Sequence, residues 1–270
     1  MKKVITVILA LLMCISLVSC GKSESVSQAE EAIASIGEVT LDSEETIKSA
    51  EKLYNILTDS EKEKVENRMT LIDAREAFDS LKEEALQKEE ELKKKEIFDN
   101  AKKAFEKIYE VEKYCIGGMD DIYGAWYFGI YDADDYYSST VMDALAKETP
   151  NLTKNDLEKG WKALGYSTKA LLTYDWNYCL YTVESAQKEK GIYKNIDNNL
   201  TEAKSIMQKL TDEYNDYEYY PKLKDYYSKV ASYADFFKNP TGSFNQLADT
   251  INDYENNIRT YRSDLEFLFK

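Results

Sequence analysis

The feature that most constrains the fold is the spacing of apolar side chains in the last third of the chain. In the final segment they recur at steps of three and four residues, at Phe244, Leu247, Ile251, Tyr254, Ile258, Tyr261, Leu265 and Leu268. The segment from Ile196 to Tyr217 has the same spacing. A repeat that averages 3.5 residues gives a helix one apolar face, with which it packs nearly antiparallel against neighbouring helices. The sequence therefore predicts an antiparallel helical bundle.

Residues that interrupt helices are scarce along the rest of the chain as well. Ten Gly and three Pro occur in 270 residues, and no segment keeps the apolar–polar alternation of a strand. We therefore predict an all-α protein. Within it, one apolar stripe starts at Ala101 and is expected to stop at Gly117-Gly118. Another runs from Leu157 to Tyr181 and predicts a single helix that Gly191 closes. A third stripe, Leu223 to Phe237, includes Tyr227.

A change of composition divides the chain. Residues 82–96 are nearly all charged, with acids placed three or four positions before bases, which is typical of an exposed helix. Residues 97–270 contain 21 of the 22 tyrosines and all three tryptophans. We predict a small N-terminal helical module over 20–81, a charged helical linker over 82–96, and a larger Tyr-rich bundle over 97–270.

The first 19 residues have the pattern of a secretory signal peptide. Lys2 and Lys3 precede an apolar run from Val4 to Val18. Fifteen residues at about 1.5 Å each span roughly 22 Å, less than the hydrocarbon core of about 30 Å. The polar residues that follow also argue against a permanent transmembrane helix.

The end of this run resembles the lipobox of a bacterial lipoprotein, because Leu17-Val18-Ser19 is followed at once by Cys20 and Gly21. The resemblance implies cleavage before Cys20 and attachment of lipid, such as palmitate, to Cys20. It further implies a protein that contacts the membrane through this lipid and lies on the extracytoplasmic face of the cell membrane. Plain secretion and an uncleaved anchor are the alternatives.

A second resemblance lies just after the signal peptide. Residues 36–43, Ile-Gly-Glu-Val-Thr-Leu-Asp-Ser, are followed by Ala50, Tyr54, Leu57-Thr58, Lys62, Val65, Asn67, Leu71 and Ala74. This pattern, within 32–81, resembles a short helical module that recurs in secreted and wall-associated proteins of Firmicutes. Arg68-Met69 stands where that module usually has an aromatic–acid pair. The resemblance implies surface display and a spacer or interaction role, and brings no catalytic residue with it.

Charge and composition exclude several classes of function. The chain has a net charge of −15; removal of residues 1–19 leaves 33 basic and 50 acidic side chains, a net charge of −17. Such a surface repels nucleic acid, so no nucleic-acid partner is expected. No histidine is present, which argues against the common hydrolase triads and most zinc sites. We predict no cofactor, no metal and no catalytic residue.

Two cysteines remain in the mature chain, Cys115 and Cys179. An extracytoplasmic pair can form a disulfide. Each also lies near an apolar helical stripe, where a thiol is commonly a small buried apolar group. The sequence leaves both alternatives open and favours buried thiols.

The strongest candidate site interleaves aromatic and acidic side chains between residues 123 and 137. Its candidate ligand-binding residues are Trp126, Tyr127, Tyr131, Asp132, Asp134 and Asp135. Aromatic faces beside carboxylates suit a cationic ligand, and aromatic faces also stack on sugars. The structural alternative is that the aromatic residues form core and the acids a solvated helix cap.

From these features we expect a lipid-anchored binding or interaction protein of the bacterial cell surface, without catalytic activity. The candidate partners are a surface protein, a glycan or a cationic ligand. The alternative is a carboxylate-dependent extracytoplasmic enzyme acting on cell-wall or other glycans.

Overall fold

The computed structural model describes residues 22–214 and 217–269, and those residues contain helices and no strand. The predicted all-α class is confirmed. The predicted signal peptide and Cys20 lie outside the described residues. The helices are α1 Glu24–Ala34, α2 Glu44–Asn55, α3 Asp59–Lys62, α4 Arg68–Tyr131, α5 Val141–Glu148, α6 Lys154–Ala163, α7 Leu171–Tyr174, α8 Asn177–Glu189, α9 Ile192–Tyr214, α10 Tyr220–Lys238 and α11 Phe244–Phe269. Short 3₁₀ turns occur at Leu41–Ser43 and Ala133–Asp135.

The chain divides into two compact units, Met1–Leu92 and Lys93–Lys270. The charged residues 82–96 lie within α4 and are helical. None of the helices in residues 22–214 and 217–269 combines the length and apolar character needed to cross a membrane.

The N-terminal unit packs α1, α2 and the first turns of α4 around a small apolar core that includes Ile33, Ile47 and Phe78. Ser23 caps α1 by accepting a hydrogen bond from the Val26 N–H, and such a cap satisfies one of the free donors at a helix start. Arg75 of α4 binds Glu51 of α2 through two parallel hydrogen bonds of 2.6 and 2.7 Å. This bidentate pair fixes the two helices to each other.

The second unit is built around four long helices whose directions follow from their contacts. Lys107 of α4 pairs with Glu202 of α9 at 2.7 Å, and Tyr214 at the end of α9 donates to Glu96 near the start of this unit, so the two run antiparallel. Contacts between α4 and α11 also run in opposite order, from Phe98–Phe269 to Tyr123–Phe244.

Helix α10 runs parallel to α4 and antiparallel to its sequence neighbours. Its early Tyr226 contacts Phe105, and its late Phe237 lies against Gly118. At its other side, Lys238 pairs with Asp197 at the start of α9. The four helices therefore alternate in direction, as the 3.5-residue spacing predicts. Their core centres on the α4 stripe of Ala101, Ala104, Ile108, Val111, Cys115, Met119 and Ile122.

Helices α5 to α8 are inserted between α4 and α9. Helices α6 and α8 approach closely at Gly160, where an added Cβ would lie 2.5 Å from the Ala186 nitrogen and 2.6 Å from the Thr182 carbonyl oxygen. Gly165, with φ of 83°, turns the chain after α6.

Several predicted helix boundaries and seam residues are wrong. Helix α4 continues through Gly117-Gly118 to Tyr131, and the stripe predicted as one helix from Leu157 to Tyr181 is divided among α6, α7 and α8. On α10 the buried tyrosines are Tyr226 and Tyr233, while Tyr227 is only half-buried. At the end of α11 Phe269 is buried and Leu268 is exposed.

Candidate functional site

The candidate site lies where α4 ends. The Asp132 N–H donates to the Phe128 carbonyl, after which the chain enters the 3₁₀ turn and buries Ala133. Trp126, one of the candidate residues, is partly buried and stacks on Trp176 with ring centres 5.5 Å apart and an interplanar angle of 8°. An offset stack of this kind stabilises both rings. It anchors the segment between α7 and α8 to the last turns of α4.

Gly129 makes this approach possible. A Cβ added at Gly129 would lie 3.0 Å from both the Cβ and the carbonyl oxygen of Trp176, which is closer than ordinary van der Waals contact. A larger residue at this position would therefore push the Trp176 segment away from α4.

Between the end of α4 and the α7–α8 segment lies an open cleft of about 700 Å³, here called the Trp176 cleft. Its lining consists of Gly129, Ile130, Asp134, Thr173, Tyr174, Asp175 and Trp176. The Tyr174 side chain is 86% exposed and is available to a ligand. A cavity of this volume is within the usual range for small-molecule sites.

Two carboxylates, Asp134 and Asp175, give the Trp176 cleft its charge. Asp175 Oδ1 accepts hydrogen bonds from the backbone N–H of Asn177 at 2.9 Å and from its Nδ2 at 2.8 Å, which fixes the orientation of this carboxylate. Neither acid forms an ion pair with a lysine or arginine among the residues that the structure describes. The cleft thus combines two uncompensated negative charges with aromatic surface.

The structure separates the six candidate residues. Asp134 lines the Trp176 cleft. Trp126 does not line the cleft but stacks on Trp176, which does. Tyr127 and Tyr131 instead pack around Phe244 at the start of α11, with ring centres 6.4 and 6.2 Å from it. Asp132 and Asp135 belong to the 3₁₀ turn region but do not line the cleft: the carbonyl of Asp132 accepts from the Asp135 N–H at 3.1 Å.

Sequence reasoning missed Tyr174, Asp175 and Trp176. The segment Tyr174-Asp175-Trp176 has the same alternation of aromatic and acidic residues as the predicted site. The spacing from Leu157 instead places Tyr174 in a predicted buried helical stripe. The alternation itself was the signal that could have identified it.

The cysteines and the most buried acids offer no reactive group to this cleft. Cys115 and Cys179 are free and buried, so the predicted buried thiols are present and no disulfide joins them. Burial raises the pKa of both thiols, that of Cys179 to about 12. Burial also raises the pKa of Asp121, to about 6, but its side chain is fully inaccessible to solvent.

Within the described part of the chain, no group of three or more acidic or cysteine side chains is placed to hold a metal ion. Comparison with protein-family models, with curated proteins and with solved structures finds no match for this chain.

Proposed function

We propose that this chain is a lipid-anchored, extracytoplasmic binding protein without catalytic activity, held at the cell membrane by lipid on Cys20. The lipobox resemblance at residues 17–21 and the short apolar run before it support the tether. The strong net negative charge disfavours direct adsorption to an anionic membrane surface, which is consistent with attachment through lipid.

We further propose that the ligand is a small organic cation, an amine or ammonium compound, and that it binds in the Trp176 cleft. The observation that carries this proposal is that two acids outside any ion pair among the described residues, Asp134 and Asp175, line the cleft together with Tyr174 and Trp176. A carboxylate attracts the positive charge, and an aromatic face adds a cation–π contribution of about 0.5–2 kcal/mol. The two carboxylates disfavour an anionic ligand, and an aromatic face alone would also suit a neutral sugar, so the acids determine the choice of a cation.

A charge-matched set of probes tests the ligand class. The compounds 4-phenylbutylamine, 4-phenylbutanol and 4-phenylbutyrate share one apolar body and differ in charge. Titration of the protein with each, followed by the NMR shifts of residues at the cleft, gives the dissociation constants. We expect the amine to bind at least about tenfold more tightly than the alcohol in the cleft, because only the amine can pair with the acids.

Two aspartates near the end of α4 provide a matched comparison. Asp134→Asn removes a carboxylate from the cleft, whereas Asp135→Asn removes the same charge one residue further on, outside the cleft lining. The first variant is expected to weaken amine binding about fivefold to tenfold. The second is expected to change it by less than about twofold. Equal losses in both variants would mean that general surface charge, and not the cleft, attracts the amine.

The tether is tested independently of the ligand. Cys20→Ser removes the residue that would carry lipid. The variant is expected to accumulate in the medium or as uncleaved precursor, and fractionation with mass spectrometry of the N-terminus measures this. Retention in the membrane with the same mature N-terminus as the unsubstituted protein would refute lipid attachment at Cys20.

A further inference from the structure

A second concave surface lies between α9 and α10. Lysines line it, whereas aspartates line the Trp176 cleft. This α9–α10 groove has a volume of about 390 Å³, and Lys204 of α9 and Lys224 of α10 both line it. Its apolar surface comes from Met207, which is buried, and from Tyr220 and Tyr227, which are half-buried. An apolar surface with a few polar groups converging on it is the usual composition of a small-molecule site.

The groove continues along α9. An adjoining hollow of about 500 Å³ shares Lys204, Gln208 and Tyr227 with it and extends towards Asp197. Lys204 therefore stands where the two hollows meet. A ligand in either hollow lies within reach of its ammonium group.

Within the part of the chain that the structure describes, the two lysines of the groove are not engaged in ion pairs. Neither Lys204 nor Lys224 forms an ion pair with any residue in the described segments, although the Lys224 ammonium lies 5.9 Å from the centre of the Tyr220 ring. Asp235 also lines the groove, and Asp197 at the far end of the adjoining hollow already pairs with Lys238. The residues that line this groove thus include two lysines and one acid, in a chain with a net charge of −15, and Asp212 lies just outside the lining, where it accepts a hydrogen bond from Gln208.

We propose that the α9–α10 groove binds a small organic carboxylate with an apolar body. The carboxylate pairs with the Lys204 ammonium. The Gln208 amide nitrogen already donates to Asp212 Oδ1 at 2.8 Å, so the charge pairing rests on Lys204. The apolar body covers Met207 and the Tyr227 ring. This site is separate from the Trp176 cleft in its residues and opposite to it in charge preference.

The same probes test this site. In an NMR titration, 4-phenylbutyrate is expected to shift the signals of residues in the α9–α10 groove and to bind there at least about tenfold more tightly than 4-phenylbutanol. For ligands of this size, dissociation constants of about 1 mM are expected. Binding of the alcohol as tight as that of the carboxylate would overturn the proposal.

Two lysines on α9 provide a matched pair of variants. Lys204→Met keeps the length of the side chain and removes its charge, and it is expected to weaken 4-phenylbutyrate binding at least about fivefold. Lys194 lies on the same helix, is exposed and does not line the groove, so Lys194→Met is expected to change binding by less than about twofold. Equal effects of the two substitutions would overturn the assignment of Lys204.

A third variant gives an effect of opposite sign, which loss of folding cannot produce. Asp235→Asn removes the unpaired acid of the groove and is expected to strengthen carboxylate binding about twofold to fivefold. Weaker carboxylate binding in this variant would contradict the proposed charge preference.

The proposals for the Trp176 cleft and for the α9–α10 groove can be tested independently of each other. Asp134→Asn is expected to leave 4-phenylbutyrate binding in the α9–α10 groove unchanged, and Lys204→Met to leave 4-phenylbutylamine binding in the Trp176 cleft unchanged. Loss of carboxylate binding in both variants would overturn a separate groove site, while the amine titration still decides the cleft.

Discussion

Tyr226 of α10 donates its phenolic hydrogen to Glu112 Oε2 of α4 at 2.5 Å. The other carboxylate oxygen of Glu112 accepts a hydrogen bond from Arg262 of α11. Glu112 is only 2% exposed, and its burial raises its pKa while the two partners oppose that shift. One carboxylate thus joins three helices of the bundle. Its removal from water is compensated only while both partners are present.

Arg262→Met leaves the buried Glu112 carboxylate without its cationic partner. We expect the free energy of unfolding to fall by about 3–5 kcal/mol, since an uncompensated buried charge has a cost of that size. In a Glu112→Gln background the same substitution is expected to cost at least about 1 kcal/mol less, because no charge is left unpaired. Urea denaturation of the four proteins in this double-mutant cycle measures the difference.

The control for this cycle is Arg259→Met, which removes an exposed arginine from the same helix and is expected to change stability by no more than about 0.5 kcal/mol. Strictly additive effects of the Glu112 and Arg262 substitutions would show that the two side chains do not interact energetically.

The raised pKa of the buried Asp121 carboxyl is expected to make the stability of the protein depend on pH. Burial raises its pKa from 3.8 to about 6, although Oδ1 accepts a hydrogen bond from the Asn151 N–H at 2.9 Å. The folded protein therefore holds a proton on Asp121 more tightly than the unfolded chain does. The stability that this provides is fully present below about pH 4 and is lost as the pH rises to 6. The two pKa values differ by an amount equivalent to roughly 3 kcal/mol.

Asp121→Asn keeps the acceptor oxygen and removes the titration. Compared with the unsubstituted protein, the variant is expected to gain up to roughly 3 kcal/mol in relative stability between pH 3.5 and 6.5. Urea denaturation at several pH values measures this difference, and Asp135→Asn, an exposed acid, serves as the control. A difference between variant and unsubstituted protein that stays constant over this range would rule out Asp121 as the titrating group.

Gly124 and Gly117 lie on the same helix, but we expect substitution by alanine to affect stability differently at the two positions. A Cβ at Gly124 would lie 1.7 Å from the Glu148 carbonyl oxygen, so Gly124→Ala forces the end of α5 away from α4. A Cβ at Gly117 would have the Asn151 side-chain amide as its nearest neighbour, at 3.2 Å, which is a close contact that a small shift of that side chain relieves. Gly117→Ala can therefore gain part of the roughly 1 kcal/mol by which alanine favours a helix.

Thermal unfolding compares the two glycine variants. Gly124→Ala is expected to destabilise the bundle by about 2 kcal/mol or more, as overpacking commonly does. Gly117→Ala is expected to lie within about 1 kcal/mol of the unsubstituted protein. If Gly124→Ala were the more stable of the two, the close packing of α5 on α4 would be disproved.

These glycines also show where sequence reasoning reached its limit. The spacing of apolar residues predicted the helical class correctly, because a period of 3.5 residues depends on one helix alone. Local propensity predicts a helix end at Gly117-Gly118, but the helix continues, and an added Cβ at Gly118 would lie 2.4 Å from the Phe237 ring. That glycine meets a steric requirement set by a residue more than a hundred positions away. Local propensity has no access to such a contact.

The candidate site was predicted in part for a similar reason. The alternation of aromatic and acidic residues drew attention to Trp126 and Asp134. Their neighbours Asp175 and Trp176 are some 40 to 50 positions further along the chain and reach them only because α5 to α7 fold back over the end of α4. Asp134 lines the cleft and Asp135 does not, although both lie in the same short turn. This difference likewise depends on the folded backbone and not on composition.

Tyr254 and Phe267 of α11 test whether the aromatic residues that follow the 3.5-residue spacing hold the bundle together. The Tyr254 ring lies 5.1 Å from the Tyr233 ring and 5.4 Å from the Phe236 ring, stacked on both. Phe267 lies off the spacing and is 89% exposed. Tyr254→Ala removes two aromatic contacts and partly buried apolar area. It is therefore expected to lower the free energy of unfolding by about 2–3 kcal/mol.

Phe267→Ala removes an aromatic ring from the same helix and is expected to change the free energy of unfolding by no more than about 0.5 kcal/mol. Urea denaturation of both variants gives the comparison, and the amine and carboxylate titrations give their binding. Tyr254 lines neither the Trp176 cleft nor the α9–α10 groove, so its substitution is expected to leave both dissociation constants unchanged wherever the protein remains folded. A Tyr254→Ala protein as stable as the Phe267→Ala protein would mean that the tyrosines of this helix form an exposed recognition face instead of part of the core.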